Sequence, residues 1–113
     1  MSLLPAHALL AAGPSAPCDP GNGGITLPKG FCATVFADKL GTARRLTVAP
    51  DGDVYVALLS PESGGGIVAL RPGTDGRAAE IRRFGEYGGT GIGVHAGYLY
   101  FATPTEVLRY KLV

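Results

Sequence analysis

Residues 46–57 read LTVAPDGDVYVA, and residues 92–102 read IGVHAGYLYFA. Each is a short apolar run, a turn that carries glycine, and a second apolar run. Tyr55 falls on Tyr100 and Ala57 on Ala102, both at an offset of 45 residues. The likeness continues outward. Ile67-Val68-Ala69-Leu70-Arg71 follows the first copy after a loop, and Val107-Leu108-Arg109-Tyr110 follows the second after a shorter one. Similarity at a fixed spacing of this size indicates one supersecondary unit used twice.

The flanking residues extend the pattern. Pro50-Asp51-Gly52 supplies a fixed φ and then a permissive one, which is a tight turn. Val54 to Leu59 is apolar at every position, so that strand needs cover on both faces. Ser60 to Gly66 reads as a flexible loop. Its glycines are no phosphate cradle, because no Lys-Ser or Lys-Thr pair and no helix follow them. Ala79 to Phe84 contains Glu80, Arg82 and Arg83 and suits an outer strand in water. Tyr98 to Ala102 and Glu106 to Leu112 are the last strands, and no segment holds a helical period.

Four antiparallel strands that become more polar outward describe one blade of a β-propeller. The fold class expected is therefore all-β, a partial propeller with a blade over 43–84 and an incomplete blade over 90–113. Residues 30–37 read as a strand belonging to a closing blade, within a propeller portion spanning 25–113. Chance recurrence of apolar pairs in a generic β-meander is the competing reading.

The composition agrees with many turns and a real core: 18 Gly, 9 Pro, no Trp and 46% hydrophobic residues in 113. Ten basic side chains face nine acidic ones. That balance gives no reason to expect nucleic acid or an acidic membrane surface as a partner. No run is long and apolar enough to span a membrane as a helix. Residues 1–24 read as a disordered tail or a remnant signal segment. Leu3 to Ala12 resembles the apolar region of a secretory signal but lacks a basic start. Cys18 and Cys32 bound the loop CDPGNGGITLPKGFC. A disulfide there would restrict the unfolded chain by ~3 kcal/mol and needs an oxidising compartment. The alternative is two unpaired thiols, with Cys32 buried in a strand.

The segment CDPGNGGITLPKGFCATVFADKLGTARRLTVAPDGDVYVAL resembles the start of the pyrroloquinoline-quinone-dependent sugar dehydrogenases, in the L-sorbosone dehydrogenase branch. GGTGIGVHAGYLYFATPTEVLRYKL resembles that branch's second blade. The resemblance implies a six-bladed propeller in the periplasm, or otherwise secreted, that oxidises a sugar with pyrroloquinoline quinone (PQQ) and calcium. It also implies an active-site histidine that takes the proton of the anomeric hydroxyl. That histidine belongs to a later segment with His-Gly-Gly or His-Gly-Arg character, which this chain does not contain. His95, in Val94-His95-Ala96-Gly97, reads as a turn residue, and His7 as inert.

No catalytic residue is therefore expected here. The entrances to the innermost strands place Arg44, Arg45, Tyr87 and Thr90 as cofactor-binding candidates, since an arginine fork can pair with a quinone carboxylate. Asp51, Asp53 and Asp75 read as turn residues rather than calcium ligands. Neither quinone nor calcium is expected to bind this portion tightly. Three functions compete: an inactive N-terminal portion of a dehydrogenase, a module that forms a homo-oligomer or binds a partner through unpaired blade edges, and a small active enzyme. The last suffers from having no base, nucleophile and orienting group to assemble.

Overall fold

A computed structural model describes residues 18–113. The possible signal segment and His7 lie outside the described residues. The described chain is all-β apart from one 3-10 turn, Pro20–Gly24. Seven strands follow: β1 (Ala43–Val48), β2 (Val54–Glu62), β3 (Gly65–Pro72), β4 (Ala78–Phe84), β5 (Gly91–His95), β6 (Tyr98–Ala102) and β7 (Val107–Lys111). They form a four-stranded sheet in the order β1-β2-β3-β4 and a three-stranded sheet in the order β5-β6-β7. All pairs are antiparallel.

The two copies seen in the sequence are one register used twice. Val54 pairs with Val48 and Leu70, while Leu99 pairs with Val94 and Tyr110. Alternation along each strand then sorts the side chains onto two faces. Tyr55, Ala57 and Ile67 on the first sheet bury against Leu99 and Phe101 on the second, with Phe84, Ile92, Val94 and Tyr110 packed around them. The rings of Tyr55, Phe84 and Tyr110 meet edge to face, at 6.5 and 5.1 Å between centroids. Each such pair contributes about 0.5–1.5 kcal/mol beyond area burial. On the opposite face, Val56, Val68 and Leu70 are also buried. β2 is thus covered on both sides, as its unbroken apolar run requires. β4 is largely exposed, in keeping with its charges.

Residues 60–66 are not the flexible loop expected. Ser60 to Glu62 extend β2, Gly65 and Gly66 begin β3, and Ser63-Gly64 alone make the turn. The glycines serve close backbone approach instead. A methyl group on Gly66 would collide with the Tyr87 carbonyl oxygen, and one on Gly88 with the carbonyl of Leu59. The polypeptide after β4 is therefore laid directly on the β2–β3 hairpin. Between Ala57 and Glu62 the β2 register slips, and the bulged residues bond outward. The Leu59 N–H donates to the Thr42 carbonyl and the Leu58 carbonyl accepts from the Gly89 N–H, both at 2.9 Å.

Residues 18–36 together with Thr74–Arg77 form a separate compact unit. Two expectations change here. Residues 18–24 are not tail: they hold the 3-10 turn and a disulfide between Cys18 and Cys32, whose Cα atoms lie 5.8 Å apart. The strand expected over 30–37 does not form, as residues 31–40 enter no ladder. Side chains take the place of a neighbouring strand. The Ala33 N–H donates to Asn22 Oδ1 at 3.1 Å and the Val35 N–H to Asp19 Oδ2 at 2.7 Å. Cys32, expected buried in the alternative reading, is exposed.

The β5–β6 hairpin turns on Ala96 and Gly97 at φ of 49° and 82°. Both central residues of this turn type need positive φ, which alanine resists. Ala96→Gly is expected to raise stability by about 0.5 kcal/mol, the steric relief exceeding the added chain entropy. Gly66→Ala is expected to cost about 3 kcal/mol or more, because backbone rather than a side chain blocks the methyl. Thermal or urea melts of the two variants against the parent measure both.

Candidate functional site

The cofactor-binding candidates lie around the β2 bulge. Arg44 and Arg45 are exposed on β1, where the ladder slips between Ala43, opposite Leu58, and Arg45, opposite Ala57. Tyr87 and Thr90 sit in the β4–β5 connection, which the Gly89 N–H pins to the Leu58 carbonyl. The Thr90 N–H is spent on the Ala102 carbonyl at 3.3 Å. Both chain entrances thus reach the same end of the sheets, on either side of Leu58. The structure brings Arg44 and Arg45 into one shallow cleft with Ala43, Leu46 and Val56, of about 220 Å³. Tyr87 and Thr90 do not line it.

That cleft falls below the ~300 Å³ at which small-molecule sites begin. Among the described residues, no group of three or more His, Cys, Asp and Glu stands close enough to hold a metal ion. Asp51 and Asp75 each accept a backbone N–H two residues ahead, from Asp53 at 2.9 Å and Arg77 at 3.0 Å, which is turn chemistry.

Asp53 does more than the sequence suggested. Its carboxylate accepts from Arg71 Nε at 3.0 Å and Nη2 at 2.8 Å, a two-pronged pair. Glu80 adds a looser contact at 3.9 Å. These groups line a polar cleft of about 330 Å³ with Arg82 and Ala69. Arg71 holds the Asp53 carboxyl below its ordinary value of 3.8, against the opposing effect of burial. The signal available in the sequence was register. With Val54 opposite Leu70, the residue before Val54 meets the residue after Leu70. The second sheet carries a different solution at the same place. Tyr98 replaces Asp53 and faces Lys111, and the Arg109 guanidinium lies 4.2 Å from the centre of its ring. A cation over a tyrosine face thus stands where the first copy has an ion pair.

His95 is exposed at the end of β5. With Asp51 it rims an apolar cleft of about 670 Å³ walled by Val48, Pro50, Val94 and Leu112. No Ser, Thr, Cys or Lys shares those walls. Burial pushes the phenols of Tyr55 and Tyr110 up, with nearby carboxylates adding to the effect. Both stay protonated at neutral pH and cannot serve as bases there.

No family model, curated protein or solved structure matches this chain. Among the described residues no helix is long and apolar enough to cross a membrane.

The Asp53 pair has a pH signature. Its folded-state value is depressed, so its contribution is complete above the unfolded value near 3.8 and is lost as pH falls through the folded one. Thermal melts from about pH 5 down to 2 should show stability falling along this limb. Asp53→Asn should flatten that part of the profile while lowering stability at neutral pH.

Proposed function

We propose that this chain is the N-terminal part of a β-propeller of the PQQ-dependent sugar dehydrogenase kind, and that it turns over no substrate by itself. The observation that carries the reading is the pair of antiparallel meanders with one register, packed face to face, with β5 running alongside β1. In a propeller, first strands of successive blades approach each other around the axis, and each blade buries its faces on its neighbours. The outward faces support it too. Leu46, Val48 and Ile81 on the first sheet and Val107 on the second are 51–72% exposed, as expected of blades that lack neighbours.

The sugar substrate, quinone and calcium come to this proposal from the resemblance of residues 18–58 and 88–112, as does a periplasmic or secreted location. The chain's own part would be to complete the ring and present Arg44 and Arg45 toward the axis. A second reading, in which copies associate without chemistry, is favoured by the same exposed apolar residues and by the open edge of β7.

Two experiments test this. The chain alone, with quinone, calcium, an aldose and a dye acceptor, should reduce no dye; sustained turnover would overturn the claim of inactivity. Co-expression with an L-sorbosone dehydrogenase-like protein lacking its first two blades should restore dye reduction. A soluble pair that neither associates nor reduces dye counts against the dehydrogenase reading. A stable ring of copies, seen as a multiple of 11.6 kDa in solution mass, would favour the assembly reading instead.

A further inference from the structure

We propose that the Cys18–Cys32 disulfide is a redox-controlled latch that holds residues 18–36 to the β3–β4 turn through Asp19 and Arg77. None of residues 18–36 is buried, and Ile25 and Phe31 are 56% and 69% exposed. The core cluster draws no residue from this segment. Apolar burial, the usual source of adhesion, is therefore scarce here. Among the described residues, one covalent bond and a set of polar contacts tie the segment together.

The link between them is geometric. Asp19 follows Cys18, and Ala33 follows Cys32, so the disulfide sets these two residues opposite each other. The Asp19 N–H donates to the Ala33 carbonyl at 2.9 Å. From that position the Asp19 carboxylate accepts the Val35 N–H and pairs with both terminal nitrogens of Arg77. Arg77 Nη1 also donates to the Val35 carbonyl at 2.8 Å. The Arg77 side chain is 39% and the Asp19 side chain 17% exposed, so the pair is partly open to water and draws its geometry from the register that the disulfide imposes. Closing the loop covalently removes the entropy that would otherwise open it.

Both cysteines are exposed, so a reductant can reach them. Exposed disulfides are the labile ones. The thiolate of a small dithiol attacks one sulfur, the Cys18–Cys32 bond breaks, and a mixed disulfide forms. The second thiol of the reductant then attacks, leaving as a cyclic disulfide. Two electrons have passed to the protein, and each cysteine takes up a proton. In an oxidising compartment the latch is shut. In a reducing one, Arg77 and the turn that carries it lose their partner.

The test uses the whole chain, oxidised and after treatment with dithiothreitol. Amide exchange at Ala33 and Val35 should accelerate by about a hundredfold, the advantage that closing a loop of this length gives. Trypsin should then cut after Lys29. Amides in β2 and β6 should keep their protection. Unchanged exchange at Ala33 and Val35 would overturn the proposal. So would equal loss of protection in β2 and β6, which would make the bond a global staple. Cys18→Ser with Cys32→Ser should reproduce the reduced state. Arg77→Gln in the oxidised chain should speed exchange at Val35 with the disulfide intact; no effect there would remove the ion pair from the latch and overturn its mechanism.

Discussion

Tyr55, Phe84 and Tyr110 meet edge to face where the two sheets press together, and the remaining architecture follows from the need to bury that contact. A sheet of three or four strands has one apolar face too many for water. Here each sheet supplies cover for the other. Leu99 and Phe101 reach the Tyr55, Ala57 and Ile67 surface because β2 and β6 both sit at the middle of their sheets. The requirement also fixes register. A slip of one residue would turn Tyr55 and Ala57 outward and bring Val56 in, so the pairing is strongly specified.

Much of this is legible in the sequence, and for a physical reason. Period-two alternation combined with a repeat constrains strands in two independent ways. The apolar run Tyr98 to Ala102 coincides with β6, and the Tyr55–Tyr100 offset marks the shared register. Residues 30–37 misled because GFCATVFA has strand composition but no strand beside it. Strand propensity measures fit to a pleated, half-buried surface, and Asp19, Asn22 and Arg77 supply bonds there without supplying a surface. Residues 60–66 misled in the opposite sense. Glycine marks flexible loops and close backbone approach alike, and only the position of Tyr87 separates the two. The polar clefts were less legible than the strands. Arg44 and Arg45 share a shallow cleft that Tyr87 and Thr90 do not line, and the Asp53–Arg71 pair depends on a cross-strand partner that no local pattern reveals.

The two copies differ most where they carry charge. In the first, Asp53 and Arg71 pair side by side. In the second, Arg109 lies over Tyr98 and no carboxylate shares the position. The hydrophobic scaffold is common to both, and the polar groups at its rim have been exchanged. That separation suits a repeat protein, in which the packing layer must be kept while each unit's outer groups can change.

The bulge in β2 has a consequence for how such a chain can vary. Its Leu58 and Leu59 backbone groups anchor both the entrance to β1 and the connection into β5. The corresponding turn of the second copy, Thr103 to Glu106, is short and closes on itself through the Thr103 hydroxyl. Insertions in that second turn disturb only their own hairpin. A deletion that straightened β2 would withdraw the Leu58 carbonyl from Gly89 and leave residues 87–90 tied to β6 through Thr90 but no longer to β2 at that bond. The β2–β3 hairpin and the β4–β5 connection are therefore coupled in length, and related chains should show the two segments lengthening or shortening as a pair.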